Sequence, residues 1–133
     1  MLTGSCLCSK IHYQIDMDNN INELIFCHCQ RCRKWNGSAF NSAMVVAAEK
    51  LQILTGQEHI KAFSTNGVNR YFCEQCGSNL FTSRDNMPNV YRFRVGSLDT
   101  PIYPIKKIHI YTGSKAEWDS ICDGGIEFNE GMK

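Results

Sequence analysis

Apolar residues recur at every second position along much of this chain, the period of strands that bury one face. In "KIHYQI", Ile11, Tyr13 and Ile15 alternate with Lys10, His12 and Gln14; in "VYRFRV", Tyr91, Phe93 and Val95 alternate with Arg92 and Arg94. Shorter runs predict further strands at Glu23–Phe26, Asn41–Val46, Leu51–Leu54, Ile60–Phe63, Asn69–Phe72, Asn79–Thr82 and Lys107–Tyr111. Between them lie turn-forming stretches such as "TGQE", "TNGVN", "RDNMPN" and "DTPIYP". Helical spacing is confined to single turns, one through "QRCRKW" and one near "SKAEWDSI". The pattern predicts an all-β fold, a sandwich of packed small antiparallel sheets made of short strands.

At 133 residues the chain is long enough to bury one core and too short for two ordinary ones, so a single domain over residues 1–133 is expected. Its 14 Lys and Arg against 13 Asp and Glu leave a formal charge of +1. That is too little for a whole-molecule field drawing it to nucleic acid or to an anionic membrane. The opening "MLTGSCLCSK" has no basic segment followed by an apolar one, and no stretch approaches the ~18 apolar residues of a membrane span. The expectation is a cytoplasmic protein with no membrane or nucleic-acid partner.

Cysteine usage changes the picture. Seven of the 8 cysteines fall in tight clusters: Cys6 and Cys8; Cys27, Cys29 and Cys32; Cys73 and Cys76. A Cys-x-Cys disulfide closes a small strained ring, and clustered thiols in a cytosolic chain point to metal, here zinc. On an extended backbone Cys6 and Cys8 share a face, as do Cys27 and Cys29, so His28 points away and is not expected to be a ligand. "CQRC" and "CEQC" have zinc-knuckle spacing, with Gly77 placed to make the turn. Seven thiolates divide into a closed site of four and an open site of three. Either Cys29, Cys32, Cys73 and Cys76 close a ribbon site, or Cys6, Cys8, Cys73 and Cys76 do so and leave Cys27, Cys29 and Cys32 open. The second division is favoured: three thiolates within six residues need no long-range assembly, and Arg31, Arg33 and Lys34 stand beside them to offset their charge.

The segments "GSCLCSKIHY", "CHCQRCRKWNGSAF", "RYFCEQCGSNLF", "GSLDTPIYP" and "KKIHIYTGSKAEWDSICDG", in this order, closely resemble the glutathione-dependent formaldehyde-activating enzyme family, which also includes centromere protein V. The likeness runs from Gly4 to about Phe128. It implies an all-β fold of packed small sheets, a structural zinc at Cys6, Cys8, Cys73 and Cys76, and a second zinc at Cys27, Cys29 and Cys32, which would then carry catalysis. The implied activity is that of a carbon–sulfur lyase. Glutathione is its co-substrate, and the glutathione sulfur adds to formaldehyde to give S-hydroxymethylglutathione, or the adduct is cleaved. Two departures stand out: Ser9 occupies a position where the family usually has Gly, and "DGGIEF" replaces a leucine-proline step.

Other residues have roles to be tested against structure. Arg31, Arg33 and Lys34, with Arg92 or Arg94, are the candidate partners for the carboxylates of glutathione. Trp35 and Phe40 are candidates to wall the open site. His109 reads as a hydrogen-bonded structural histidine and Cys122 as a small buried side chain. Besides a lyase acting on a small-molecule thiol and an aldehyde, the same residues suit a non-catalytic thiol carrier or a zinc-stapled interaction module.

Overall fold

In the computed structural model, which describes residues 1–132, the alternating segments become strands of two sheets. The smaller is antiparallel and consists of β1 (Leu2–Ser5), β2 (His12–Ile15) and β5 (Leu51–Thr55), in the order β1-β2-β5. The larger contains β3 (Asn20–Cys27), β4 (Asn41–Ala47), β6 (Ile60–Thr65), β7 (Val68–Cys73), β8 (Asn79–Arg84), β9 (Met87–Arg94), β10 (Tyr103–Ile110) and β11 (Ile126–Glu127). Its order is β11-β10-β3-β4-β9-β8-β7-β6. Every predicted strand is present; β1 and β11 are additional, each too short to display an alternation of its own. One helix, α1 (Gln30–Asn36), grows from the turn predicted after Cys29. The turn expected near "SKAEWDSI" is displaced upstream, to a single 3-10 turn at Thr112–Ser114. No helix among the described residues is long and apolar enough to cross a membrane.

Most pairings are antiparallel, but β10 lies between β3 and β11 and is parallel to both. Side-chain alternation is blind to strand direction, so the sequence pattern does not reveal this. The stretch after β9 returns the chain past the small sheet, where Asp99 and Thr100 N–H groups donate to Thr3 O, before β10 begins.

The two sheets meet through one face of each. Leu2, Ile11, Tyr13 and Ile15 from the small sheet and its turns pack on Leu24, Met44, Val46, Leu80, Phe81 and Phe93 of the large one. Aromatic rings cross the larger sheet as a stacked series, Tyr71 on Phe81 (4.6 Å) and Phe81 on Tyr91 (4.5 Å). Tyr13 reaches across to Phe93 (4.8 Å), and its hydroxyl is hydrogen-bonded to the Ser97 hydroxyl at 2.6 Å. Burial pushes the Tyr13 phenol above its ordinary value. Gly4 lies opposite Tyr13 in the β1–β2 register. A Cβ there would collide with the Tyr13 phenol and come within 2.7 Å of Ser97 O. Gly4→Ala is therefore expected to cost about 1–3 kcal/mol, the range for overpacking a filled core. A urea midpoint unchanged by the substitution would refute this account of the sheet contact.

The same alternation gives the large sheet a second, chemically different face. Arg70 is in register with Thr82, Thr82 with Arg92, and Arg94 with Ala43, so the strands that send aromatic rings into the core send guanidinium groups the other way.

Candidate metal centres and the cationic cleft

The cysteine sulfurs gather into two groups, Cys6 with Cys8, Cys73 and Cys76, and Cys27 with Cys29 and Cys32, each group lying within 4.8 Å. In the first, two turns face each other. The β1–β2 turn is closed by Cys6 N–H donating to Ile11 O (3.1 Å) and Ser9 N–H donating to Cys6 O (3.0 Å). Ser9 adopts φ 66°, a left-handed backbone that glycine adopts freely, which explains why a glycine suits this position. The β7–β8 turn uses Gly77 at φ 77°, whose N–H donates to Cys73 O (2.8 Å). Ser78 joins the turns, its hydroxyl accepting from Leu7 N–H at 2.9 Å. Cys6 and Cys8 sulfurs are 3.5 Å apart, and Cys8 and Cys73 sulfurs 3.8 Å. A tetrahedral ion with Zn–S bonds of ~2.3 Å sets its sulfurs ~3.8 Å apart, so this donor set fits a closed zinc site.

The second group is assembled locally. Cys27 ends β3, and Cys29 caps α1, its sulfur accepting Cys32 N–H at 3.4 Å. The helix stops at Gly37, φ 67°, whose N–H returns to Arg33 O. Hydrogen bonds from Cys27 and then from Cys32 hold the Cys29 thiol far below its ordinary value. Sharing with Cys27 and Cys29, together with burial, pushes the Cys32 thiol far up. Three touching sulfurs thus resist losing all their protons unless a cation takes their place, which is the behaviour of a metal ligand set.

His28 points to the opposite side of β3, fully buried, with its Nε2 2.8 Å from Nδ1 of His109. His109 Nε2 donates to Asp123, 2.8 Å from Oδ2. If His109 is the neutral imidazole, its one proton goes to that carboxylate and Nδ1 accepts from His28 Nε2–H; His28 Nδ1 is buried without a partner. Burial lowers the His28 pKa, while the Gly125 N–H and His109 lower that of Asp123. His109 thus ties the C-terminal segment to β10, through its ring on Asp123 and its carbonyl, which accepts Phe128 N–H; Phe128, Cys29 and Cys32 each pack against the buried cluster of Ile25, Cys27, Ile108 and Ile110.

Cys27, Cys29 and Cys32 open into a cleft of about 390 Å³. Among the described residues Arg31, Arg70, Arg84, Arg92 and Arg94 line it and no acidic residue does. Ile25, Ala43, Ile110 and Asn41 stand near the thiol end; Asn41 is 3% exposed and directly opposite Cys27 in the β3–β4 register. Arg94 is 8% exposed, its guanidinium 5.2 Å from the Trp35 ring and its NH1 donating to Arg92 O at 3.1 Å. Burial lowers its pKa to about 10, and the nearby Cys32 and Cys27 work against that shift.

Of the sequence candidates, Arg31, Arg92 and Arg94 reach this cleft. Arg33 instead donates to Ser114 O (3.1 Å), tying α1 to the Thr112–Ser114 turn, and neither it nor Lys34 lines the cleft. Trp35 and Phe40 do not wall it: Trp35 lies behind Arg94, and Phe40 packs on Phe26 and His28 and lines a separate cleft. Cys122 is exposed, correcting the expectation of burial; no strand carries it into the core. Arg70, Arg84 and Asn41 were missed. The available signal was the alternation of Arg70 with Tyr71, like that of Arg92 and Arg94 with Phe93, which becomes a site only once those strands are paired; Arg84 and Asn41 carry no such signal.

A family model described as glutathione-dependent formaldehyde-activating enzyme matches residues 1–114. The chain is 32% identical over 89 residues to an uncharacterised lyase of Schizosaccharomyces pombe, covering 66% of this chain and 61% of that protein. It is 28% identical over 80 residues to a Podospora anserina protein provisionally named a glutathione-dependent formaldehyde-activating enzyme, covering 59% of this chain and 38% of that one. The chain thus spans less than two thirds of the length of either curated relative. A Rhodobacter sphaeroides protein of known crystal structure shares the fold, with a TM-score of 0.62 and 21% identity over 73% of this chain and 87% of that one.

Proposed function

The chain belongs to the glutathione-dependent formaldehyde-activating enzyme family, and from that premise we propose that it is a carbon–sulfur lyase that makes or cleaves S-hydroxymethylglutathione in the cationic cleft. The observation that carries the reading is a three-thiol cluster opening into a cleft lined by five arginines and no acid. Cys6, Cys8, Cys73 and Cys76 would hold a structural zinc, and Cys27, Cys29 and Cys32 a second with one place free. Zinc at the open cluster would supply a Lewis acid that lowers the pKa of an incoming thiol to that of a thiolate at neutral pH. The protein is read as one domain, 1–133, working in the cytoplasm.

The chain's own residues supply position and selectivity. Arg92 and Arg70 stand on one face of the sheet two strands apart, ~10 Å by strand spacing, which suits two carboxylates of one extended tripeptide. Ile25, Ala43 and Ile110 give the thiol end apolar walls, beside which electrostatic attraction is stronger than in water. The Asn41 carboxamide, across from Cys27, would donate to the carbonyl oxygen as the sulfur adds.

Exchange NMR of glutathione and formaldehyde, with and without protein, separates catalyst from carrier: accelerated interconversion is expected, and an unchanged rate would refute the enzyme reading. Arg92→Ala is expected to weaken glutathione binding by ~1.5–3 kcal/mol, the scale of a charge-assisted hydrogen bond, and to leave mercaptoethanol binding nearly unchanged. If titration calorimetry shows glutathione binding the unaltered protein no better than mercaptoethanol, glutathione is the wrong thiol.

A further inference from the structure

The cleft holds more positive charge than glutathione can neutralise. Five guanidinium groups face it, Arg70 and Arg94 each only 8% exposed. The ion pairs found among the described residues are Lys50–Asp16, His59–Glu58, Lys61–Glu74 and His109–Asp123, so none of these arginines is in a direct ion pair there, and the acid that acts on any of them is Glu23, on Arg92. Buried guanidinium charges without counter-anions destabilise a fold, and their retention points to a ligand that compensates them. A divalent ion on three thiolates carries one negative charge, and glutathione as its thiolate carries two. With Glu23 acting on Arg92, one of the five positive charges remains without a counterpart.

The position of the surplus indicates which reactant meets it. Arg92, Arg70 and Arg84 lie farther along the sheet from the cysteines than Arg94 does, Arg92 two residues before it on β9 and Arg70 two strands beyond Arg92 in the same row, where the carboxylates of an extended thiol peptide would lie. Arg31 and Arg94 flank the thiol end instead. Arg31 sits in α1 between Cys29 and Cys32, and Arg94 is in register with Ala43, two residues beyond the Asn41 that faces Cys27. A carbonyl compound reacting at the sulfur must approach there, and formaldehyde has no charge to offer these groups.

Building on the glutathione reading, we infer that the physiological carbonyl partner is an aldehyde that bears its own carboxylate, of the glyoxylate class, with Arg31 and Arg94 as its specificity-determining residues. The reaction is redox-neutral. The thiol sulfur forms a bond to the aldehyde carbon, the carbonyl π electrons pass to oxygen, and that oxygen takes up the proton the thiol released; cleavage reverses each step.

Two measurements test this separately from its premise. The first is binding without turnover, by titrating S-carboxymethylglutathione and S-(2-hydroxyethyl)glutathione, which differ in a third carboxylate at the position of the adduct. The carboxymethyl compound is expected to bind about tenfold to a hundredfold more tightly, and Arg31→Ala, on an exposed helical position, to collapse most of that ratio. Arg94→Lys keeps the buried charge and should reduce the ratio less than Arg94→Met. Equal affinities of the two compounds for the unaltered protein overturn the inference. The second measurement is exchange NMR of glutathione with formaldehyde, glycolaldehyde and glyoxylate. Acceleration of glyoxylate exchange well above that of its uncharged counterpart glycolaldehyde is expected. Acceleration of formaldehyde exchange alone overturns the inference and leaves the lyase reading standing, whereas no acceleration with any aldehyde removes the lyase reading.

Discussion

Cys73→Ser is expected to unfold the domain. Cys73 is fully buried at the end of β7, within the main core, and its sulfur is one of four that approach to contact distance. Serine is a far poorer zinc ligand, and a three-sulfur remnant cannot close the tetrahedron. Structural zinc binding is folding free energy, so the loss is on the order of 5 kcal/mol or more, comparable to the whole stability of a chain this size. The two turns that carry these cysteines also join the small sheet to the large one, through the hydrogen bond from Leu7 N–H to the Ser78 hydroxyl. Far-UV circular dichroism and amide dispersion should both collapse in Cys73→Ser, with Cys122→Ser as the unaffected control because Cys122 is exposed. A Cys73→Ser protein that melts within a few degrees of the unaltered one would show that no metal staples this corner.

Cys29→Ser and Cys32→Ser should have the opposite profile, removing one bound metal and leaving the fold in place. Both residues are partly exposed, Cys29 as the cap and Cys32 within a short helix that contributes no buried residue to the core. The strand they follow is held by β10 on one side and β4 on the other. Elemental analysis of reduced protein should find about two zinc ions per chain, by the division into four and three thiolates, and brief chelation should remove about one because a three-ligand site is open to competitors. Each substitution should reduce the content to about one zinc with little change in melting temperature. A single zinc in the reduced, unaltered protein would reject the division into four and three.

Much of the local chemistry was legible in the sequence. Each cysteine cluster spans a few residues, and sulfurs on alternate strand positions or across a tight turn converge whatever the rest of the chain does. Strand positions were legible for a similar reason, since burial of one face imposes a period of two wherever a sheet covers a core. The basic run Arg31, Arg33 and Lys34 shows where this kind of reading fails. Proximity in sequence suggested one charged patch, but helical geometry turns Arg31 toward the cleft and sends Arg33 to Ser114 O.

Cys122 failed in a related way: its composition class favours burial, yet only packing against an element buries a residue, and its segment has none there. The parallel insertion of β10 between β3 and β11 was equally hidden, because pairing direction leaves no mark on alternation.

By itself, then, the sequence determined the strands and the thiol clusters that could hold a metal, because these depend on spacings of two to five residues along one backbone. Only the tertiary structure decided that Arg70, Arg84, Arg92 and Arg94, spread over three strands, share one face and one cleft with Cys27, Cys29 and Cys32. Strand order and register are collective outcomes of packing the aromatic face onto the small sheet. The cationic face is whatever that packing leaves on the other side.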